Sequence, residues 1–204
     1  MKGLLLKDLY TLGKQMKIFL VLIVVLAVIP GFSLSAFAVV YAALLPMTAL
    51  SYDERSKWDT LAAMMPYSAA QLVFSKYLLG YLMAVCAALC SLAAQVVISL
   101  YWHTPLDQEA LISLLSIVCI AFLFLAIDLP FLFKLGVERG RLTFIILTVV
   151  MVTAGILFFN DTLIELMTQD STFTWLAFCC PMLTIIFNLL SVPLSVKLYK
   201  SNFK

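Results

Sequence analysis

The run "IFLVLIVVLAVIPGFSLSAFAVVYAALLPMTALSY", residues 18–52, contains no charged side chain. A helix of that length would extend about 52 Å, whereas the hydrocarbon core of a bilayer is ~30 Å thick. Pro30-Gly31 lies near the middle of the run, and this dipeptide is typical of a turn. The run therefore predicts two membrane-spanning helices in a tight hairpin, at about 17–30 and 35–52.

The rest of the chain is equally apolar. Of its 204 residues, 64% are hydrophobic and 12% are charged, whereas a soluble domain has about 45–50% apolar and about 25% charged residues. A globule of this size cannot bury so many apolar side chains, so lipid is the expected solvent. We therefore predict an all-α, polytopic membrane protein whose single transmembrane domain covers residues 1–204.

Four further apolar runs predict four more spans, at about 76–100, 110–133, 142–160 and 173–196. All 13 Lys and Arg residues precede span one, follow span six, or lie between spans two and three or four and five. The opposite loops contain acidic but no basic residues, and they are 31–34, 101–109 and 161–172. The positive-inside rule then predicts six spans with both termini in the cytoplasm.

A cleaved signal peptide is the alternative for the N-terminal part. Ala36-Phe37-Ala38 has the small-residue pattern of a cleavage site after a basic and apolar stretch. Cleavage there would leave only Val39–Tyr52 as the first span, which is short for a crossing. We favour the hairpin, and the intact mass of the purified protein decides between the two.

Residues 2–16 predict an amphipathic helix ahead of the first span. Apolar side chains recur at intervals of four, three and four residues, and polar ones occupy the other face. The apolar set is Leu5, Leu9, Leu12 and Met16, and the polar set is Lys7, Asp8, Thr11, Lys14 and Gln15. We expect an elbow helix lying among the lipid headgroups. The alternative is a basic flank that only sets the topology.

A short charged segment follows the second predicted span. Its charged and aromatic residues are Asp53, Glu54, Arg55, Lys57, Trp58 and Asp59. The pairs Asp53–Lys57 and Arg55–Asp59 have opposite signs at i,i+4 spacing, which supports a solvated helix. We therefore predict a helix over residues 53–65 within a structured connection, residues 53–75.

Pro66 bounds this helix, because the residue before a proline is driven out of the α region. Ser68 and Gln71 have the spacing of a capping box, with Tyr67 and Leu72 at the staple positions, so a second helix is predicted to begin there. One face of the first helix carries Trp58, Leu61, Ala62 and Met65. An aromatic side chain ringed by charges is typical of a docking surface. The alternative is a solvated extension of span two that binds no partner.

The sequence "FKLGVERGR", residues 133–141, predicts a second cytoplasmic loop. Its charged residues are Lys134, Glu138, Arg139 and Arg141. Gly136 and Gly140 have GxxxG spacing, but a polar loop is a poor place for a helix-dimer motif.

Asp128 precedes Lys134 by about 9 Å of helix, which places its carboxylate near the interface. An acid within a span is a functional candidate. Three roles stay open for it: a structural cap or ion pair, conformational coupling, and contact with an ion or substrate.

The usual chemical motifs are missing from the sequence. Its one histidine excludes HExxH and multi-histidine metal sites, and neither a GxSxG motif nor a GxxxxGK[ST] phosphate loop occurs. The five cysteines lie in apolar runs without metal-ligand spacing. We therefore predict no catalytic residue, no metal site and no directly bound cofactor. Nucleic acid is not a predicted partner, because topology already accounts for the basic residues.

The segment "YDERSKWDTLAAMMPYSAAQLVFSKYLLGYL", residues 52–82, resembles the first cytoplasmic loop of small ABC-2-type permeases, the membrane subunits of bacterial ABC exporters. The shared pattern is an acidic-acidic-basic start, a Trp, a Pro before a polar residue, and a Ser-Lys-Tyr entry into span three. The segment "LPFLFKLGVERGR", residues 129–141, resembles the second cytoplasmic loop of the same family. The chain looks similar to permeases of the phenol-soluble-modulin exporter and of related peptide-efflux and bacitracin-type resistance systems.

The resemblance implies a pathway formed in the lipid of the bacterial plasma membrane by two permeases, either two copies of this chain or this chain with a paralogue. A separate cytoplasmic ABC ATPase, which binds ATP and Mg, would grip residues 53–65 as a coupling helix. Its closure would tilt spans one, two and five and alternate the access of the cavity. Amphipathic peptides are the favoured substrates. The alternative is a non-transporting scaffold or assembly subunit. An intramembrane enzyme is not favoured, because it would need a nucleophile–base pair.

Overall fold

The computed structural model describes residues 2–15, 17–28, 32–102, 108–158 and 170–202. Within those ranges every regular element is an α-helix, which agrees with the predicted class. The helices are α1 (Lys2–Gln15), α2 (Lys17–Val28), α3 (Phe32–Ala43), α4 (Leu45–Arg55), α5 (Trp58–Ala63), α6 (Ala69–Trp102), α7 (Gln108–Phe158) and α8 (Asp170–Asn202). The predicted turn at Pro30-Gly31 lies outside the described residues.

Three stretches of the described chain are long and apolar enough to cross a bilayer. They are Ala69–Tyr101 in α6, Leu111–Leu135 in α7 and Pro181–Lys200 in α8. They correspond to the predicted spans 76–100, 110–133 and 173–196. The other three spans, and the sidedness of all six, stay predictions.

Helix α6 runs antiparallel to α8 and to the part of α7 before Gly136, and these two run parallel to each other. Near the middle of the bundle, the Tyr81 ring meets the edge of the Phe122 ring at 5.0 Å between centroids, and the Tyr81 hydroxyl donates to Asn188. Near one end, the Phe133 and Tyr199 rings pack edge to face at 5.6 Å. This end carries Lys76, Lys134 and Lys200. We call it the basic end.

The predicted span 35–52 is bent in its middle. Helix α3 ends at Ala43 and α4 begins at Leu45, with Leu44 between them at φ −84° and ψ −7°. The cause is Pro46, which has no N–H to donate to the carbonyl four residues earlier. Leu44 and Met47 instead make shorter-range backbone bonds, to Tyr41 and Leu44 respectively, both at 3.1 Å. The chain therefore changes direction before it reaches the basic end.

Helix α7 turns sharply at Gly136, whose φ of 78° and ψ of 170° are not helical. Glycine adopts a positive φ without the steric cost that a side chain imposes. The arms on either side lie so close that a Cβ on Gly140 would be 2.6 Å from Leu132 Cδ2 and 3.2 Å from its Cα. Residues 133–141 are thus helical on both sides of one glycine and are not the loop that the sequence predicts. The GxxxG glycines serve a turn and a close approach within one chain.

The core lies where α3, α6 and α7 meet. Ala38 and Ala42, one turn apart on α3, are fully buried. Gly80 of α6 faces Pro46 and Leu125 so closely that a side chain in its place would overlap Leu125. Small residues at such positions let helix backbones approach, which is how apolar helices pack when lipid surrounds them. This junction fixes α4 and therefore the short segment that follows it.

Candidate functional site

The chain breaks its helix between α4 and α5 at the basic end. Lys57 adopts the left-handed conformation at φ 52° and ψ 36°. Just before it, Ser56 N–H bonds the Tyr52 carbonyl at 2.9 Å, and Lys57 N–H bonds the Glu54 carbonyl at 3.2 Å, which closes the last turn of α4. The sequence-based prediction of one helix over residues 53–65 is therefore wrong. The helix is split into two, with the break inside the charged run.

The side-chain partners of Asp53 also differ from the predicted one. The predicted partner was Lys57 on the same helix, but Asp53 Oδ1 accepts from Lys7 Nζ at 2.5 Å and Asp53 Oδ2 from Lys76 Nζ at 2.6 Å. Both lysines come from other helices. Tertiary ion pairs therefore override the local i,i+4 pattern. The predicted Arg55–Asp59 pair involves the Asp59 side chain, which lies outside the described residues.

Asp8 completes a group of four charges, three of them buried and Lys7 half-buried, which we call the ion cluster: Lys7, Asp8, Asp53 and Lys76. Lys76 Nζ donates to both carboxylate oxygens of Asp8 at 2.8 Å, and Lys7 Nζ lies 3.0 Å from Asp8 Oδ1. The side chains of Asp8 and Lys76 are 2% and 7% exposed. The sequence placed Asp8 on a polar outer face, and this prediction is wrong because α1 turns that side chain inward.

The ion cluster joins three helices into one unit. Lys7 and Asp8 come from α1, Asp53 from α4 and Lys76 from the first turns of α6. Its two cations and two carboxylates balance, which offsets the desolvation that burial imposes on each charge. The Trp58 ring covers one side, with Lys7 Nζ 4.2 Å from the ring centroid. Such a cation–π contact contributes about 0.5–2 kcal/mol. A cavity of about 20 Å³ adjoins the ion cluster, which is room for roughly one water molecule.

The predicted site residues therefore divide into two sets. Asp53 is buried and Trp58 is half-buried, so both serve the interior. Glu54, Arg55 and Lys57 are exposed. Of the predicted apolar face, Ala62 is buried, whereas Leu61 and Met65 are 49% and 40% exposed; Met64, beside that face, is 85% exposed. We call the exposed apolar and charged side chains of residues 54–65 the outer segment.

Glu54 ties the outer segment to the turn in α7. Its Oε2 atom accepts from the Val137 N–H at 3.2 Å, at the start of the second arm of α7. A carboxylate suits this position, because the first N–H groups of a helix lack intrahelical partners and carry a partial positive charge. A cleft of about 380 Å³ lies alongside and is lined by Ser51, Glu54, Arg55, Val137, Glu138 and Arg141. Lys134 and Arg139, the other predicted residues of this region, are exposed and do not line it.

The connection to α6 has the predicted cap. Ser68 N–H donates to Gln71 Oε1 at 3.2 Å, and Gln71 N–H donates to Ser68 Oγ at 3.3 Å. This reciprocal pair is the capping box that the spacing indicates. It fixes the start of α6 about two turns before Lys76, and so helps position a member of the ion cluster.

A line of polar side chains on α8 forms a second polar group, which sequence reasoning missed. Thr184, Asn188, Ser191 and Ser195 recur at spacings of four, three and four, so they share one face. This face meets α6 and α7, and we call it the polar seam. Asn188 accepts from the Tyr81 hydroxyl at 2.5 Å and donates to the Phe122 carbonyl at 3.3 Å.

At the next turn, Ser191 supplies a hydrogen bond that a proline removes. Pro130 has no N–H to donate to the Ala126 carbonyl in α7. The Ser191 hydroxyl donates to that carbonyl instead. Its single hydrogen is then used, so the Tyr77 hydroxyl must donate to Ser191 at 2.5 Å and receive from Ser195 at 2.8 Å. The chain of donors runs from α8 to α6, back to α8 and into α7.

Comparison with protein families gives a match over nearly the whole length. The profile described as ABC-2 family transporter protein covers residues 3–200. The chain belongs to the ABC-2 transporter family. Comparison with curated proteins gave no match, and comparison with solved structures gave none either.

Membership confirms the resemblance to ABC-2-type permeases. Proteins of the ABC-2 family are membrane permeases of ABC transporters and have no ATPase of their own. Together with the three long apolar helices, membership identifies a multi-pass membrane protein. The more specific similarity to phenol-soluble-modulin permeases stays a prediction.

Asp128 of this ABC-2 protein lies on α7 two residues before Pro130 and is 8% exposed. No hydrogen bond or ion pair joins its carboxylate to another residue in the described ranges. Three roles for Asp128 were left open by the sequence. One of them, a structural ion pair, is not observed among the described residues. In the same ranges, no group of three or more His, Cys, Asp or Glu side chains is arranged to hold a metal ion.

Proposed function

We propose that this ABC-2 protein is the transmembrane permease subunit of an ATP-driven exporter in the bacterial plasma membrane. In this proposal the basic end faces the cytoplasm, and a separate ABC ATPase that binds ATP and Mg docks on the outer segment. A second permease, either another copy or a paralogue, completes the pathway. Family membership shows a permease of an ABC transporter, and we infer the direction of transport, the docking of the ATPase and the second permease.

The observation that carries the proposal is the contrast between the two sides of residues 53–65. One side is anchored in the protein through Asp53, Trp58 and Ala62. The other side presents Leu61 and Met64, together with exposed charges, at the end of the helices that the positive-inside rule assigns to the cytoplasm. An apolar patch rimmed by polar side chains is typical of a protein interaction site. A docking surface that is held firmly from behind can transmit a displacement.

Two connections support transmission from the outer segment to the spans. The ion cluster passes a displacement of α4 to α1 and α6, because Asp53 is paired with Lys7 and Lys76. Glu54 passes it to the second arm of α7, whose first N–H group it holds. Closure of the ATPases would then move predicted spans one, two and five, as alternating access requires. Amphipathic peptides remain the proposed substrates, and a panel of cationic peptides with and without the exporter tests them by growth inhibition.

Docking is tested by changing the exposed apolar side chains and leaving the buried ones intact. Met64→Asp places a charge in the proposed interface, and we expect loss of co-purification with the ATPase and loss of permease-dependent ATP turnover. The matched control is Met64→Leu, which keeps an apolar side chain and is expected to retain both. Trp58 is unsuitable for this test, because its ring covers Lys7 and its removal would disturb the ion cluster.

The outcome also separates permease from scaffold. If Met64→Asp leaves the complex with the ATPase and its turnover intact, the outer segment is not the docking site. If the wild-type chain binds no ATPase but purifies within a larger assembly, the scaffold alternative is favoured. Sidedness is checked separately by labelling Lys57→Cys in a cysteine-free background with an impermeant thiol reagent. Labelling from outside intact cells would contradict a cytoplasmic basic end.

A further inference from the structure

An apolar groove runs along the outside of the bundle between α7 and α8. Its volume is about 620 Å³, and Lys134 lines it at the basic end. We propose that this groove binds one acyl chain of an anionic phospholipid, whose phosphate contacts Lys134. The inference goes beyond the proposed function. It depends on the chain spanning a bilayer and makes no use of an ATPase.

The walls of the groove are apolar side chains, and the polar group in its floor already has hydrogen-bond partners. Phe187, Leu190, Leu194 and Phe131 line it and are 47%, 66%, 51% and 39% exposed. Ser191, also in the lining, is only 6% exposed, and its hydroxyl is already used by the Ala126 carbonyl and Tyr77. Because the floor groups bond one another, an apolar occupant can lie over them without leaving a buried polar group unsatisfied.

The dimensions of the groove match one leaflet of a bilayer. From Phe187 to Leu198, the first and last lining residues on α8, the helix rises about 16 Å. Half of a ~30 Å hydrocarbon core is about 15 Å. The groove therefore extends from near the midplane to the headgroup level of one leaflet. Lys134 lies at the level where the phosphate of a lipid in that leaflet would sit.

The charge at this end favours an anionic over a zwitterionic headgroup. Lys134 lines the groove, whereas Lys197 and Lys200, which are also exposed near the basic end, do not. Glu138 follows Lys134 by four residues in the sequence, but the Gly136 turn lies between them, and Glu138 lines the cleft with Arg141 and is not part of this groove. A lysine near a membrane surface contributes attraction to anionic lipid, and a phosphate can accept hydrogen bonds from its ammonium group.

A second copy of the chain fits the groove less well than a lipid does. A two-fold axis along the membrane normal makes the same patch meet itself at the same depth. The basic ends of the two copies would then lie at the same depth, with Lys134, Lys197 and Lys200 of one copy near the same lysines of the other and like charges at the rim of the interface. A lipid chain with an anionic headgroup has no such repulsion and brings the complementary charge.

The test uses the full-length protein in detergent, stripped of lipid and titrated with dimyristoyl-phosphatidylglycerol or dimyristoyl-phosphatidylcholine. Native mass spectrometry counts the lipids retained. We expect the wild-type chain to retain the anionic lipid about fivefold more than the zwitterionic one, which is the factor that one lysine near an anionic surface provides. Lys134→Gln should equalise the two lipids, whereas the control Lys200→Gln should keep the preference.

A second variant tests whether the acyl chain binds in the groove. Leu194→Trp fills the groove and is expected to lower retention of both lipids, with size-exclusion profile and helical content unchanged because Leu194 is an exposed side chain. Equal losses of the anionic preference in Lys134→Gln and Lys200→Gln would indicate only a diffuse surface potential and would overturn the site. Dissociation of a dimer by Leu194→Trp, with lipid retention unchanged, would overturn it in favour of an interface between copies.

Discussion

Lys76→Met is the sharpest perturbation of the ion cluster. The substitution keeps a long unbranched side chain but removes the cation that bonds both oxygens of Asp8 at 2.8 Å and Asp53 Oδ2 at 2.6 Å. Two carboxylates then share Lys7 alone. Loss of one partner from a buried ion pair costs about 3–5 kcal/mol, because the charge left behind stays desolvated. On the scaling for chains of about 150–250 residues, this is a fall in melting temperature of roughly 6–20 °C.

The assay is thermal unfolding of the purified chain in detergent, followed by circular dichroism. The matched control is Lys200→Met, an exposed lysine at the same end, for which we expect a change within about 0.5 kcal/mol. The decisive variant adds Asp8→Asn to Lys76→Met. It restores charge balance and leaves Lys7 paired with Asp53 at 2.5 Å.

The two changes should therefore offset one another. We expect the double variant to melt above Lys76→Met, by the equivalent of about 1–3 kcal/mol, since residues in one ion-pair network couple by such amounts. If the losses of the two single variants simply add in the double variant, the charges do not act as one balanced group. The reasoning would then be wrong even if each single variant is unstable.

Three other predictions concern separate parts of the fold. Gly140→Ala should destabilise the turn of α7 by roughly 1–3 kcal/mol in the same thermal unfolding assay, because its Cβ would overlap Leu132. The control is Gly13→Ala, whose Cβ would meet no atom within 4 Å. It should be neutral or stabilising by up to about 1 kcal/mol. Ser191→Ala should cost about 0.6–1.7 kcal/mol, and less in a Pro130→Ala background that returns an N–H to the Ala126 carbonyl; equal costs in both backgrounds would contradict this role. Ser68→Ala should cost about 0.5–2 kcal/mol at the start of α6, seen as faster hydrogen exchange of its first-turn amides; unchanged exchange there would rule out the cap.

The features that the sequence predicts well are local ones. Ser68 and Gln71 are three residues apart, so their spacing alone determines that each can reach the other's backbone N–H. The long apolar runs likewise predict α6, the first arm of α7 and α8, because a bilayer sets a minimum length for a crossing. Pro46 and Gly136 are visible in the sequence as helix-breaking residues, but their effect on α4 and α7 depends on what packs beside them.

The ion cluster could not be predicted in this way. Asp53 and Lys57 satisfy a rule that applies to an isolated helix surface, whereas the observed partners of Asp53 are 46 and 23 positions away. Which distant lysine reaches it depends on how α1 and α6 pack against α4, and no local pattern encodes that packing. Because α4 ends at Arg55 and Lys57 is left-handed, Asp53 and Lys57 do not lie on one continuous helix.

The polar seam was detectable, because its spacing of four, three and four within an apolar run marks one helical face. Small hydroxyl and amide side chains are common at helix interfaces in membranes, so the face could have been assigned to an interface between spans. The sequence alone does not say which helices it meets. Tyr77 and Tyr81, its partners on α6, are four residues apart and therefore lie on one face of that helix.

The two polar groups meet at adjacent residues of α6. Lys76 is a member of the ion cluster, and Tyr77 shares hydrogen bonds with Ser191 and Ser195 in the polar seam. Consecutive residues of a helix point about 100° apart, so one turn of α6 faces the cluster on one side and α8 on the other. In the proposed function, a displacement that enters at Asp53 would reach α8 through a single turn of α6, and the Ser191 bond to Ala126 would carry it into α7 one turn before Pro130. The proposed transmission from the outer segment to the centre of the bundle would therefore use only ion pairs and hydrogen bonds that are already present in the structure.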